Sequence, residues 1–241
     1  MQEKDYTKKY RNIKRARDER DNAYDFLRPV RIVDIFKSPD LYKAVGLLIA
    51  AQLTITTLAI ATANESYAGA LNLMALIMTA FIVLFAVRTI NRRQLMDPTR
   101  RRFKLSSVLF ITSGMMVTLF ITTLIFNSMG ITPEVQPKQA ANEILIAQFP
   151  LAMIIAMIVM VPIVEELVFR ELLPYTFGPS IFAFIVMSGL FVFTHVPVGV
   201  AGWTSYGILA AGFLIARLKD NNIYTAVCVH MIWNAIILFV L

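Results

Sequence analysis

Charge is what this sequence most lacks. Only 16% of its 241 residues are Asp, Glu, Lys or Arg, and 57% are hydrophobic. A soluble domain carries about a quarter charged residues. A mean hydropathy of +0.64 therefore argues against an ordinary soluble globule and makes the bilayer the solvent. Cysteine is also scarce. Cys228 stands alone, which excludes an internal disulfide framework and a cysteine-rich metal site. It lies in an apolar run and reads as a small buried hydrophobe rather than a nucleophile. The first 40 residues hold no apolar h-region, so no secretory signal peptide is expected and the first span serves as the targeting signal. No internal repeat or low-complexity tract occurs.

What is present is a set of seven apolar segments, at residues 41–63, 67–89, 105–127, 149–172, 179–197, 202–218 and 223–241. Each is near the ~20 residues a helix needs to cross a bilayer. The expected fold is an all-α, polytopic membrane bundle of about seven transmembrane helices. The sixth segment reads as short, with Gly207 and Gly212 suited to close packing. Residues 3–22 read as a polar helix or arm, and Val30 to Phe36 as an interfacial segment. The second half of 131–147 reads as a short amphipathic helix leading into the fourth span.

Positive charge sets the orientation. Residues 1–40 carry 11 Lys/Arg, and residues 88–104 add seven more against Asp97 alone. The loops at 64–66, 128–148 and 198–201 hold only Lys138. This bias predicts a cytoplasmic amino terminus and an exterior carboxy terminus. The basic stretches flank membrane spans and can meet anionic lipid; they contain no nucleic-acid-binding motif. The sequon Asn64-Glu65-Ser66 falls outside but too close to a span for glycosylation. Three regions follow: a charged arm at 1–40, three accessory helices in 41–130, and a four-helix core in 145–241.

Against this apolar background a few polar residues stand out. Both histidines, His195 and His230, lie in apolar spans, and the fourth span ends in Glu165, Glu166, Arg170 and Glu171. Ionisable groups within spans face the protein interior and mark function. Glu166 and Arg170 are four apart, so they share a helix face and can pair. Glu165 is rotated by about 100° and points elsewhere. His230 and Asn234 repeat the four-residue spacing, as do Phe191 and His195, where the ring can brace the imidazole. A carboxylate and an imidazole can activate one water, and an imidazole with an amide can stabilise an oxyanion. The same atoms, Glu165, His195 and His230, could instead hold Zn²⁺. The blander readings are an interfacial ion cluster, a packed histidine and interhelical hydrogen bonding. Trp203 fits an interface belt, and Trp233 and the Met153, Met157, Met160 stripe fit helix packing.

EExxxR at Glu165 to Arg170, FxxxH at Phe191 to His195 and HxxxN at His230 to Asn234 occur in this order on three apolar segments. The set resembles the three motifs of the CPBP family, the type II CAAX prenyl proteases and the bacteriocin-processing or immunity (Abi) proteins, over roughly residues 145–238. The resemblance implies an intramembrane endopeptidase. Glu165 and His195 would activate water, His230 and Asn234 would form the oxyanion hole, and Glu166, Arg170 and Phe191 would support the site. It implies a membrane-associated peptide or protein substrate. The family is described as metal-dependent or as glutamate-type; because Asn is a poor zinc ligand no metal cofactor is expected, with a divalent metal such as Zn²⁺ the alternative. Glu171 departs from the glycine that many members carry after the arginine. The short chain is read as a bacterial cell-membrane protein. The alternatives are a non-proteolytic membrane adaptor or immunity protein on the same fold and, last, a proton-coupled transporter, which would need two related halves not seen here.

Overall fold

A computed structural model describes residues 32–97, 100–132, 134, 136–148 and 150–239. The arm expected at residues 3–22 lies outside the described residues. Every regular element among the described residues is helical. A short helix, α1 (Ile32–Phe36), leads into α2 (Pro39–Thr62), α3 (Ala68–Met96) and α4 (Leu105–Ser128). Then come α5 (Pro137–Gln148), the long α6 (Leu151–Thr176), α7 (Ile181–Thr194), α8 (Gly199–Lys219) and α9 (Ile223–Phe239). The helix expected in the 131–147 connection is α5.

Five helices, α2, α3, α4, α6 and α8, are long and apolar enough to cross a membrane. The apolar helices α7 and α9 are shorter, at 14 and 17 residues. At 1.5 Å per residue they span about 21 and 26 Å, less than the roughly 30 Å hydrocarbon core. The expected length order is therefore corrected. The fifth segment ends early because His195-Val196-Pro197 breaks its helix, and the sixth, read as short, is a full 21-residue span. Gly212 does lie against a neighbour, since a Cβ there would meet the Met115 side chain of α4. Gly207 faces open space, so the packing role expected of it is not found.

Local sequence accounts for the helix ends. Ser38 caps α2, its hydroxyl accepting the Asp40 N–H at 3.3 Å, with Pro39 in the first turn. Ser180 caps α7 through the Ala183 N–H at 3.2 Å. The outer faces of α2, α3 and α4 carry exposed aromatic and aliphatic side chains such as Phe81, Leu84 and Phe110. With backbone hydrogen bonds satisfied inside each helix, such faces suit lipid. α6 is different. From Pro162 to Pro174 all its side chains are buried, because α2, α3, α7 and α9 all pack against it. It is the axis of the bundle.

One end of the bundle is tied together by polar groups. Glu171 of α6 is buried and paired with Arg100, with Arg217 of α8 at 3.0 Å and with Arg93 of α3 at 3.6 Å. Arg93 also pairs with Asp40, and Arg100 with Asp97 at 2.9 Å. Burial works against the Arg100 charge, yet Glu171, Tyr175 and Asp97 together more than offset it and raise its pKa above the ordinary arginine value. Asp220 accepts from Ser107 and Thr225, each at 3.2 Å. Glu171 is thus the hub of an ionic cluster joining three helices.

Candidate active site

Two prolines shape the helix that carries the carboxylates. α6 contains two π-helical turns, Ala156–Met160 and Val168–Leu172, and each is followed two residues later by proline, Pro162 and Pro174. Proline has no N–H and its ring collides with the carbonyl four residues back. Widening the preceding turn relieves that collision. Glu165 and Glu166 sit on the α-helical stretch between the two turns.

The glutamates diverge as the 100° step predicts, but both meet the same histidine. Glu166 Oε1 lies 2.9 Å from His230 Nδ1, and its Oε2 lies 3.4 Å from Arg170 Nε. Glu165 Oε2 lies 3.8 Å from His230 Nε2. One imidazole thus bridges two adjacent carboxylates. Its Nδ1–H donates to Glu166, which fixes the ring so that Nε2 faces Glu165.

Arg170 is fully buried, and its two Nη atoms make no hydrogen bond. Its charge is balanced by Glu166 and by the face of Phe191, 4.4 Å from the guanidinium carbon, with Phe213 at 5.8 Å. Phe191 is the centre of an aromatic cluster. It meets Phe169, Phe213 and His230 edge-on, and its ring lies 4.5 Å from His195.

His195 stands at the end of α7. Its Nδ1 lies 2.9 Å from the Phe191 carbonyl oxygen. A carbonyl only accepts, so Nδ1 carries a proton in this contact. Val196 follows in the left-handed region, with φ 49°. For a β-branched residue this costs on the order of 1–2 kcal/mol.

Asn234 donates from Nδ2 to the Met157 carbonyl at 2.8 Å. The first π turn explains why that carbonyl is available. The Val161 N–H bonds to Ala156 instead, and the next position is Pro162, which has none to give. The second Asn234 N–H remains a donor.

Sequence reasoning missed the contribution of α8. Tyr206 lies 4.7 Å from the His195 ring, and Phe213 stacks on His230 at 4.2 Å with 17° between planes. The two are seven residues apart, two turns on one face. That spacing was available in the sequence, although nothing marked its partners. Among the described residues no three His, Cys, Asp or Glu side chains are grouped to hold a metal ion. Trp233 is buried, Trp203 is exposed and packs edge-on to Phe193, and Met153 and Met160 are in the core. Cys228 is half-buried.

Exposure falls along α6. Met157, Ile158 and Val159 are half-buried, as are His195, Tyr206 and Asn234. Beyond Glu165 the aromatic cluster and the Glu171 ion cluster close the bundle. The half-buried residues of the site thus lie on the side away from the Glu171 end. Comparison with curated proteins and with solved structures returns no match. Residues 147–236 match the family described as type II CAAX prenyl endopeptidase Rce1-like, a protease family. The match takes in α6 to α9 nearly whole, with every motif residue inside it, and makes this segment similar to that family.

Proposed function

We propose that this chain is an intramembrane endopeptidase that hydrolyses a peptide bond of a membrane-associated peptide or protein. The observation that carries the reading is the buried Glu165–His230–Glu166 arrangement with His195 on the neighbouring helix. Water held by Glu165 and His195 Nε2 loses a proton to one of them as its oxygen attacks the scissile carbonyl. The remaining Asn234 N–H and the Nε2 side of the His230 ring form the oxyanion hole. The proton taken from water then passes to the leaving amine as the C–N bond breaks. Glu166 holds the His230 ring, as an orienting carboxylate does in a hydrolase triad. Arg170 and Phe191 hold Glu166 and the backbone of His195 in turn. The reading places the protein in a bacterial cell membrane with a cytoplasmic amino terminus, and its route needs no metal.

The test is cleavage of an internally quenched, lipid-anchored peptide by purified protein, with and without a chelator. Wild type is expected to cleave in both conditions. Glu165→Ala and His230→Ala should lose turnover by at least about 10²-fold while keeping the wild-type elution profile. Full activity in both variants would rule out this chemistry, and loss of activity with the chelator would replace the metal-free route. Wild-type biological function retained by Glu165→Ala would favour the adaptor or immunity reading.

A further inference from the structure

The strained turn after His195 is held from outside the family-matched segment. Val198 lies three residues beyond His195, and both of its backbone polar groups go to one side chain. Its N–H donates to Gln136 Oε1 at 3.0 Å, and its carbonyl accepts from Gln136 Nε2 at 3.2 Å. Nε2 also donates to the Glu134 carbonyl at 2.8 Å. The Gln136 amide thus uses one acceptor and two donors, and it bridges two loops 62 residues apart in sequence. Its own backbone is fixed, because its carbonyl accepts the Ala140 N–H at 3.1 Å at the start of α5.

The α8 side of the contact is shaped to receive this segment. A Cβ on Gly202 would lie 2.8 Å from both Gln136 amide atoms. A Cβ on Gly199, which has φ +66°, would lie 2.8 Å from Glu134 Oε1. Two glycines in the first turn of α8 thus leave room for the Glu134 and Gln136 side chains of the strap that precedes α5. The clamp fixes where α8 begins, and α8 carries Tyr206 to the His195 ring.

We propose that Gln136 is a positioning residue for His195, acting through Val198 and the start of α8. The proposal rests on the protease reading for its kinetic consequence but not for its structural one. With Gln136 in place, the turn holding Val196 at positive φ has a single geometry, and the His195 ring is held between Phe191 and Tyr206. Without it, the turn relaxes and the base moves relative to Glu165. Misplacement of a catalytic group by about 1 Å is enough to cost on the order of 10²-fold in rate.

Two variants remove the clamp from opposite sides. Gln136→Ala deletes the amide, and Gly202→Ala displaces it with a methyl group that an α-helix otherwise tolerates well. In vesicles of phosphatidylcholine and phosphatidylglycerol, with the quenched lipid-anchored peptide as probe, each should lower kcat by roughly tenfold or more with KM little changed. The double variant should be no slower than the slower single one, because both remove the same contact. Wild-type kcat in Gln136→Ala, or multiplicative losses in the double variant, would overturn the proposal. A second readout does not need activity. The chain has two histidines, so ¹⁵N-imidazole spectra of the full-length protein resolve both. The His195 signals should shift or broaden in both variants while those of His230 hold. An unchanged His195 overturns the proposal even if no peptide is cleaved, whereas a wild type that cleaves nothing overturns only the protease reading.

Discussion

At the scale of single residues, Glu165 and Glu166 separate into two kinds of acid. Glu166 is fully buried between Arg170 and His230, whereas Glu165 retains 9% exposure and turns its Oε2 toward His230 Nε2. Glu166→Gln would leave the Arg170 guanidinium buried without its carboxylate, and breaking a buried pair from one side costs about 3–5 kcal/mol. Glu165→Gln removes the carboxylate proposed to activate water while preserving shape. Thermal unfolding in detergent, followed by the reactivity of the single thiol Cys228, should therefore show a large destabilisation for Glu166→Gln and little for Glu165→Gln. Both should lose peptide cleavage. Equal unfolding temperatures in the two variants would mean that the neighbours do not divide structure from chemistry in this way.

At the scale of elements, the motif spacings EExxxR, FxxxH and HxxxN pointed to the residues gathered here, and two of them, Glu166–Arg170 and Phe191–His195, are contacts within one helix. What they could not carry was the partner across the bundle. Glu166 was legible as the mate of Arg170 but not of His230, since that contact joins residues 64 apart. Tyr206, Phe213 and Gln136 were missed for the same reason. The π turns left a local trace, prolines at 162 and 174 twelve residues apart, whose consequence depends on the helix remaining unbroken around them. That consequence is testable. Asn234→Ala strips the part-buried Met157 carbonyl of its donor, which costs on the order of 1 kcal/mol, the low end of the range for a buried acceptor. Pro162→Ala supplies an N–H at the position where the π turn needs one. Pro162→Ala should thus recover most of the stability lost in Asn234→Ala without restoring the amide donor for catalysis. A double variant as unstable as Asn234→Ala alone would show that the Met157 carbonyl is not the liability.

At the scale of the whole molecule, charge and access lie at opposite ends. Arg93, Arg100 and Arg217 gather around Glu171, and Arg101 and Lys219 meet beside them. The other end carries the Glu134–Gln136 strap and the His195–Val198 turn. On the proposed orientation, with positive charge on the cytoplasmic side, the Glu171 end would lie in the cytoplasm, and the half-buried face formed by Met157, His195, Tyr206 and Asn234 would lie in the exterior half of the bilayer. Cleavage at the cytoplasmic interface, natural if the carboxylates are read only as the end of a span, would require a path through the aromatic cluster and the ion cluster. In a Cys228→Ala background, Val196→Cys, at a position 67% exposed, should react with a membrane-impermeant maleimide added to intact cells. Arg102→Cys, in the basic loop, should react only after the membrane is opened. The reverse pattern would invert the bundle and return that half-buried face to the cytoplasmic half, since the burial along α6 ties it to the strap whichever way the protein is inserted.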